Sequence, residues 1–237
     1  MIIIKYLRLI IASLCILIVL IFNMDLNKDT NHMGTKKNMD KIDYNKKINN
    51  LKEEYNNEDI VGILKIDKEL EVPILQTENN DYYLNHTINK EENIYGTIFL
   101  DYRTHIDSKK LLIYGHSSTK IEISFNILEN YYEKDYYESH KYISLTTNTE
   151  EKLYEIFSVY IETSDFSYMN INFIDNEDYY RHINNLKDKS IYNTDIELEY
   201  DDEILILQTC SNHKDYLNYD KKYLLIISRR IKWCKKF

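Results

Sequence analysis

The chain opens on an apolar run, Leu9 to Phe22, that carries no charge and follows Lys5 and Arg8. A helix over that run reaches about 21 Å, short of the roughly 30 Å hydrocarbon core, but counted from Ile2 with the two cations reaching to the interface it is long enough to span. No small-x-small cleavage site follows Phe22, and Leu14 before Cys15 is too large for lipoprotein processing. Residues 1–22 therefore read as a retained membrane anchor, its positive flank inside and everything from Asn23 outside the cytoplasm. A cleaved signal peptide is the alternative. Residues 23–39 are polar and read as a stalk; Ile42, Tyr44, Ile48, Leu51 and Tyr55 then recur at helical spacing, which predicts an amphipathic helix over 40–57.

Beyond this helix the pattern shortens to strand-like runs: Ile60 to Ile66, Val72 to Leu75, Thr97 to Leu100, Leu111 to Tyr114, Tyr142 to Thr146, Leu153 to Ile161, Ile204 to Thr209 and Tyr223 to Ser228. Eight such runs predict a mainly β domain over 58–237, a barrel or a sandwich. Ile121 to Tyr137 and Asn176 to Lys189 break the pattern with apolar residues at three- and four-residue intervals, which predicts two helices decorating the strands. There is no internal repeat.

Composition narrows the partners. The 237 residues carry 30 basic and 39 acidic side chains, and since Lys5 and Arg8 fall in the apolar segment, the body is the acidic part. Phosphate-backbone recognition needs a basic face, so a nucleic-acid partner is not expected. Four glycines and one proline exclude collagen-like and Gly/Pro-rich disordered classes.

Of three cysteines, Cys15 lies in the apolar segment, leaving Cys210 and Cys234 outside, where a disulfide is the ordinary expectation. If the Tyr223 run returns beside the Cys210 run, however, Cys234 lies about 36 Å along an extended chain, whereas bridged Cα atoms sit within about 7 Å. Cys210 reads as a free thiol.

Two strand ends carry chemistry. Leu-Leu-Ile-Tyr-Gly-His-Ser-Ser, 111–118, leaves a strand at Gly115 with His116 next, and Ile-Leu-Ile-Leu-Gln-Thr-Cys, 204–210, ends on a thiol. A cysteine attacking a carbonyl needs an acid to protonate the leaving amine, and imidazole serves. A packed histidine and a buried cysteine are the alternative reading of the same residues.

Read together with their flanks, these runs resemble the class B sortases. The resemblance covers about 42–229 and rests on Gly96-Thr-Ile-Phe-Leu-Asp-Tyr-Arg103, Tyr114-Gly115-His116, Tyr136-Tyr137-Glu138-Ser-His140-Lys141-Tyr142, Tyr154-Glu-Ile-Phe157-Ser-Val-Tyr160, the 176–189 helix and Leu207-Gln208-Thr209-Cys210, the last in place of Leu-Ser-Thr-Cys. It implies an eight-stranded sortase β-barrel and a cysteine transpeptidase on the outer face of a Gram-positive membrane. On this resemblance Cys210 attacks a threonine carbonyl in the C-terminal sorting signal of a surface protein, and His116 protonates the departing amine. The thioester then passes to an amine of peptidoglycan precursor or of a pilin. An ordinary thiol is only about 3% ionised at pH 7, so a slow enzyme is expected unless the site lowers that pKa.

One family residue is missing from its place. The family's arginine beside the cysteine begins the last strand, and here that strand starts Lys221-Lys222-Tyr223, with Arg229 and Arg230 at its far end, about 20 Å away. Lys222 is the positional substitute, though an ammonium lacks the guanidinium fork, and a solvated lysine at a strand entrance is the competing reading. Thr209, Ser164 and Tyr168 are the expected substrate contacts, the last two in a segment that lines the groove in this class. Asp101 and Arg103 read as a structural ion pair. Cys210 and His213 have ligand-like spacing but no second pair, so no metal and no cofactor are expected. Two alternatives to the transpeptidase remain: a thiol hydrolase, and an arginine-deficient relative that binds sorting peptides without turnover.

Overall fold

The computed structural model describes residues 43–232; the anchor over 1–22, the stalk, Cys15 and Cys234 lie outside that range. The first helix, α1 (Tyr44–Tyr55), starts where the Asp43 side chain accepts the Lys46 amide at 3.0 Å and stops at Asn56, whose left-handed backbone cannot continue it. Its Ile48 is fully buried against Ile60, Leu75 and Tyr83, so this helix packs on the strand domain rather than standing apart in a stalk.

The eight strands are β1 (Ile60–Ile66), β2 (Leu70–Leu75), β3 (Phe99–Leu100), β4 (Lys110–Tyr114), β5 (Tyr142–Thr146), β6 (Glu151–Glu162), β7 (Ile204–Cys210) and β8 (Tyr223–Arg230). They close into a barrel in the order β1-β2-β3-β4-β7-β8-β6-β5, with β5 pairing back onto β1, which removes the sandwich alternative. Side chains of successive strand residues separate into two apolar sets. Leu111, Ile113, Leu205, Leu207, Leu224 and Ile226 belong to a set drawn from all eight strands. Leu112, Ile204, Ile206, Leu225 and Ile227 face the other way and are covered by α1 and the helix Asn176–Asp188.

The stretch expected as one helix over 121–137 is two. A 3-10 segment, Ser124–Tyr132, buries Phe125, Leu128 and Tyr131 at the three-residue period such a helix favours, and the extended backbone of Glu133 separates it from the short α2 (Lys134–Ser139). The second expected helix is α3 (Asn176–Asp188), capped by Asp175, whose carboxylate accepts the Asp178 amide at 2.8 Å. Among the described residues no helix is long and apolar enough to cross a membrane.

Candidate active site

Strands β4 and β7 are parallel neighbours that end at the same rim of the barrel. Their ladder runs from Lys110↔Ile204 to Tyr114↔Gln208, and the Gly115 amide continues it by donating to the Gln208 carbonyl at 3.1 Å. Two residues beyond Tyr114 and two beyond Gln208 stand His116 and Cys210, so the parallel register brings the two residues out at the same rim of the barrel. A Cβ at Gly115 would lie 2.6 Å from the Phe125 ring, so this exit leaves room for a larger residue only if the ring moves.

Cys210 is a free, exposed residue. Desolvation by the surrounding protein pushes its thiol pKa up, the Lys222 ammonium draws it down, and the Glu129 carboxylate adds to the rise. His116 is half-buried, and its Nε2 lies 3.0 Å from the Leu84 carbonyl. A carbonyl only accepts, so Nε2 carries the proton and Nδ1 is the nitrogen left with a lone pair. Antiparallel pairing of Cys210 with Tyr223 sets Lys222 immediately beside the end of the Cys210 strand, and its carbonyl accepts the Ser211 amide at 2.8 Å. The Lys222 ammonium also donates to the Tyr219 carbonyl at 3.2 Å. Arg229 pairs with Ile204 at the opposite end, where its guanidinium meets the Glu197 carbonyl and Glu155.

No protein-family model matches the chain. Two curated relatives do. Sortase B of Listeria monocytogenes is 37% identical over 163 residues, 68% of this chain and 66% of that protein. Sortase B of Staphylococcus aureus is 30% identical over 179 residues, 74% of this chain and 72% of its own length. The chain belongs to the sortase B family. Among solved structures, the Staphylococcus aureus sortase B-substrate complex superposes on this sortase with a TM-score of 0.71 at 26% identity, covering 88% of this chain and 98% of that one. Sortases of this class are cell-wall sorting cysteine transpeptidases, and this sortase shares their barrel and their reaction class.

The remaining residues expected at the sortase site divide by burial. Tyr168 is wholly buried, and its hydroxyl donates to Gln208 Oε1 at 2.7 Å, so it supports the nucleophile strand from beneath. Thr209 is buried as well, its hydroxyl without a partner among the described residues. Ser164 is exposed on the segment after β6, in a turn where Glu162 Oε1 accepts the amides of Thr163, Ser164 and Asp165. Asp101 and Arg103 form a bidentate pair at 2.9 and 2.7 Å, and Tyr114 donates to the same carboxylate at 2.6 Å. The His213 ring lies with its centroid 4.0 Å from that of Tyr132, tilted by 38°.

Sequence reasoning missed three supports. The Leu84 carbonyl behind His116 is backbone and leaves no mark in a motif. Glu129 lies in the 3-10 segment without any neighbouring chemistry in sequence. Buried Lys110 donates to the carbonyls of Tyr168 and Asn170 at 2.7 and 2.5 Å and lies 2.8 Å from His182 Nε2, fastening the segment between β6 and α3 to the barrel. Lys110 stands in a run read only for its apolar members, and His182 in a helix read only for its tyrosines and aliphatic residues.

Proposed function

We propose that this sortase cleaves a C-terminal sorting signal through a thioester on Cys210 and passes the acyl group to a cell-wall amine. The observation that supports it best is the register of β4 and β7, which sets a free thiol and an imidazole at one barrel rim. The Cys210 thiolate attacks the peptide carbonyl, and the tetrahedral oxyanion forms toward Lys222. The C–N bond breaks as imidazolium His116 gives its Nδ1 proton to the leaving amine. An incoming amine then attacks the thioester, His116 takes its proton, and the C–S bond breaks to restore the thiolate. Throughout, the Leu84 carbonyl accepts from Nε2–H, which orients the ring with Nδ1 free for the proton transfers.

The donor is a sorting peptide, as the solved complex of the Staphylococcus aureus sortase with substrate supports by analogy. A related sortase B has been solved in complex with triglycine, which supports an amine acceptor such as that of a peptidoglycan precursor; a pilin amine is the other acceptor of this chemistry. On this reading exposed Ser164 meets the peptide, while buried Tyr168 and Thr209 act from beneath it. We further infer that residues 1–22 anchor the enzyme as a single pass and that residues 58–237 act outside the membrane, from the Lys5 and Arg8 flank and the uncharged run that follows.

Product analysis tests the transfer. Incubation of the enzyme with a cleavable sorting peptide should give mainly the ligated product when triglycine is present and slow hydrolysis without it. Hydrolysis at one rate in both would identify a thiol hydrolase.

A further inference from the structure

Glu129 takes no part in the steps above, yet it touches the nucleophile's turn more directly than any other acid among the described residues. Its Oε1 accepts the Asn212 amide at 2.7 Å, and the Ser211 hydroxyl lies within its reach. On the other side, Asn212 Nδ2 donates to Ser117 Oγ at 2.9 Å, and Ser117 Oγ donates to the Cys210 carbonyl at 2.5 Å. The turn that follows Cys210 is thus held between the 3-10 segment and the residue next to His116. For the hydrogen bond alone a carboxylate is unnecessary, since an amide oxygen accepts a backbone N–H equally well. The negative charge is the additional property, and it faces a sulfur that must become an anion.

We propose that Glu129 is a positioning residue that also sets the charge balance at Cys210: it clamps the Ser211–His213 turn against the β4 exit, and its carboxylate opposes the Lys222 ammonium at the sulfur. The inference rests on Cys210 being the nucleophile proposed above. The groups that act on Cys210 are Lys222 and Tyr223 from the β8 side, Tyr168 from the segment after β6 and Glu129 from the 3-10 segment, and His116 leaves the neighbouring strand at the same rim. Lys222 and Glu129 act on it with opposite sign, the lysine favouring the thiolate and the glutamate opposing it. Glu129 in turn faces His213; burial pushes its own pKa up, and the Asn212 amide and the His213 ring oppose that rise. A guarded thiol suits an exposed cysteine, because oxidation follows thiolate character and access.

The test is the pH profile of Cys210 alkylation by iodoacetamide, followed by intact-protein mass, a readout that needs no turnover and so remains legible even if the enzyme accepts none of the peptides tried. Glu129→Gln keeps the acceptor for Asn212 and loses the charge. Its alkylation midpoint should move down by on the order of half a pH unit, which speeds alkylation near neutral pH by about threefold, with thermal melting unchanged within a few degrees. Glu129→Asp, which retains the charge, should keep the wild-type midpoint. Glu129→Ala should show the same downward shift and, having lost the clamp, about a tenth or less of wild-type kcat/KM on a cleaved peptide. A Gln profile that superimposes on wild type, or a downward shift in the Asp variant, overturns the charge role; wild-type kcat/KM in the Ala variant overturns the positioning role.

Discussion

Lys222 is the residue on which this chain departs from the pattern that its resemblance to the class implies. Where the class is expected to carry a guanidinium, this chain presents an ammonium at the entrance of β8, one residue before the partner of Cys210. A point cation serves both ends of the reaction. Its charge draws the Cys210 pKa down, and in the proposed mechanism it also meets the tetrahedral oxyanion, although an ammonium lacks the two-pronged donor of a guanidinium. Lys222→Ala should therefore lower the acylation rate by about 10²-fold or more, the usual loss on removing one oxyanion donor. Lys222→Arg should retain or raise it. Stopped-flow acylation with a fluorogenic sorting peptide separates these, and a silent Lys222→Ala would shift the oxyanion role to backbone amides near Cys210. That His116 and Cys210 follow strand ends was legible in the sequence because apolar runs lead into both, and strand length alone set Arg229 at the far end of the last strand, where it pairs with Ile204. What stayed hidden were groups that work through tertiary contacts: Lys110 meets His182 across 72 residues of chain, and the Leu84 carbonyl meets His116 across 32.

At the scale of the element, two loops hold the site in shape. The turn carrying Leu84 closes at Gly96, whose backbone has φ +54, and a Cβ there would meet the Tyr83 carbonyl and lie 2.6 Å from the Leu84 carbonyl oxygen. Gly96→Ala should thus strain the turn and displace the acceptor of His116 Nε2. The expected outcome is a larger fall in kcat than in KM, with the Cys210 alkylation rate near wild type; equal kcat values would remove the Leu84 carbonyl from the mechanism. The second loop, between β6 and α3, is fastened by Lys110, whose three ammonium protons have three acceptors, and by Arg103, which donates to the Met169 carbonyl at 3.2 Å. Burial, reinforced by the Lys110 charge, lowers the His182 pKa to about 3, and burial with the Arg103 charge lowers that of Lys110 to about 7. An unfolded histidine takes up its proton near pH 6.5 while the folded one resists, so the His182 contribution is complete above that pH and declines as pH falls toward 3. Below pH 7, Lys110, with its folded pKa of about 7, adds a slope of the same sign only within about a unit of that pH, and the variant below retains that part. His182→Gln retains an acceptor for Lys110 without titrating, so its urea midpoint should change less between pH 7 and pH 5 than that of wild type. Parallel curves would assign the acid sensitivity to other groups.

At the scale of the whole molecule, the alternation of short apolar runs with polar breaks foretold eight strands, because most strands bury residues on both faces, one face in the set shared by the whole barrel and the other in the set under α1 and α3. Strand ends were read short wherever charge continues the ladder: β2 begins at Leu70 so that Glu71 reaches Lys47 and Lys65, and β8 runs on to Arg230, which pairs with Glu150 and Glu203. A hydrophobic count passes over such residues although their backbones pair like any others. Closure into a barrel rather than a sandwich was not contained in the alternation, since both solutions bury the same pattern; the flanking motifs carried that distinction. The barrel order, with β4 between β3 and β7, is what converts two distant strand ends into one site. The most direct measurement is therefore intact-protein mass spectrometry of the enzyme incubated with a library of pentapeptide sorting motifs and quenched in acid. A peptide adduct mapping to Cys210, discharged by triglycine and absent from a folded Cys210→Ala variant, is the expected result; cleavage by that variant, or an adduct on any other residue, would contradict it.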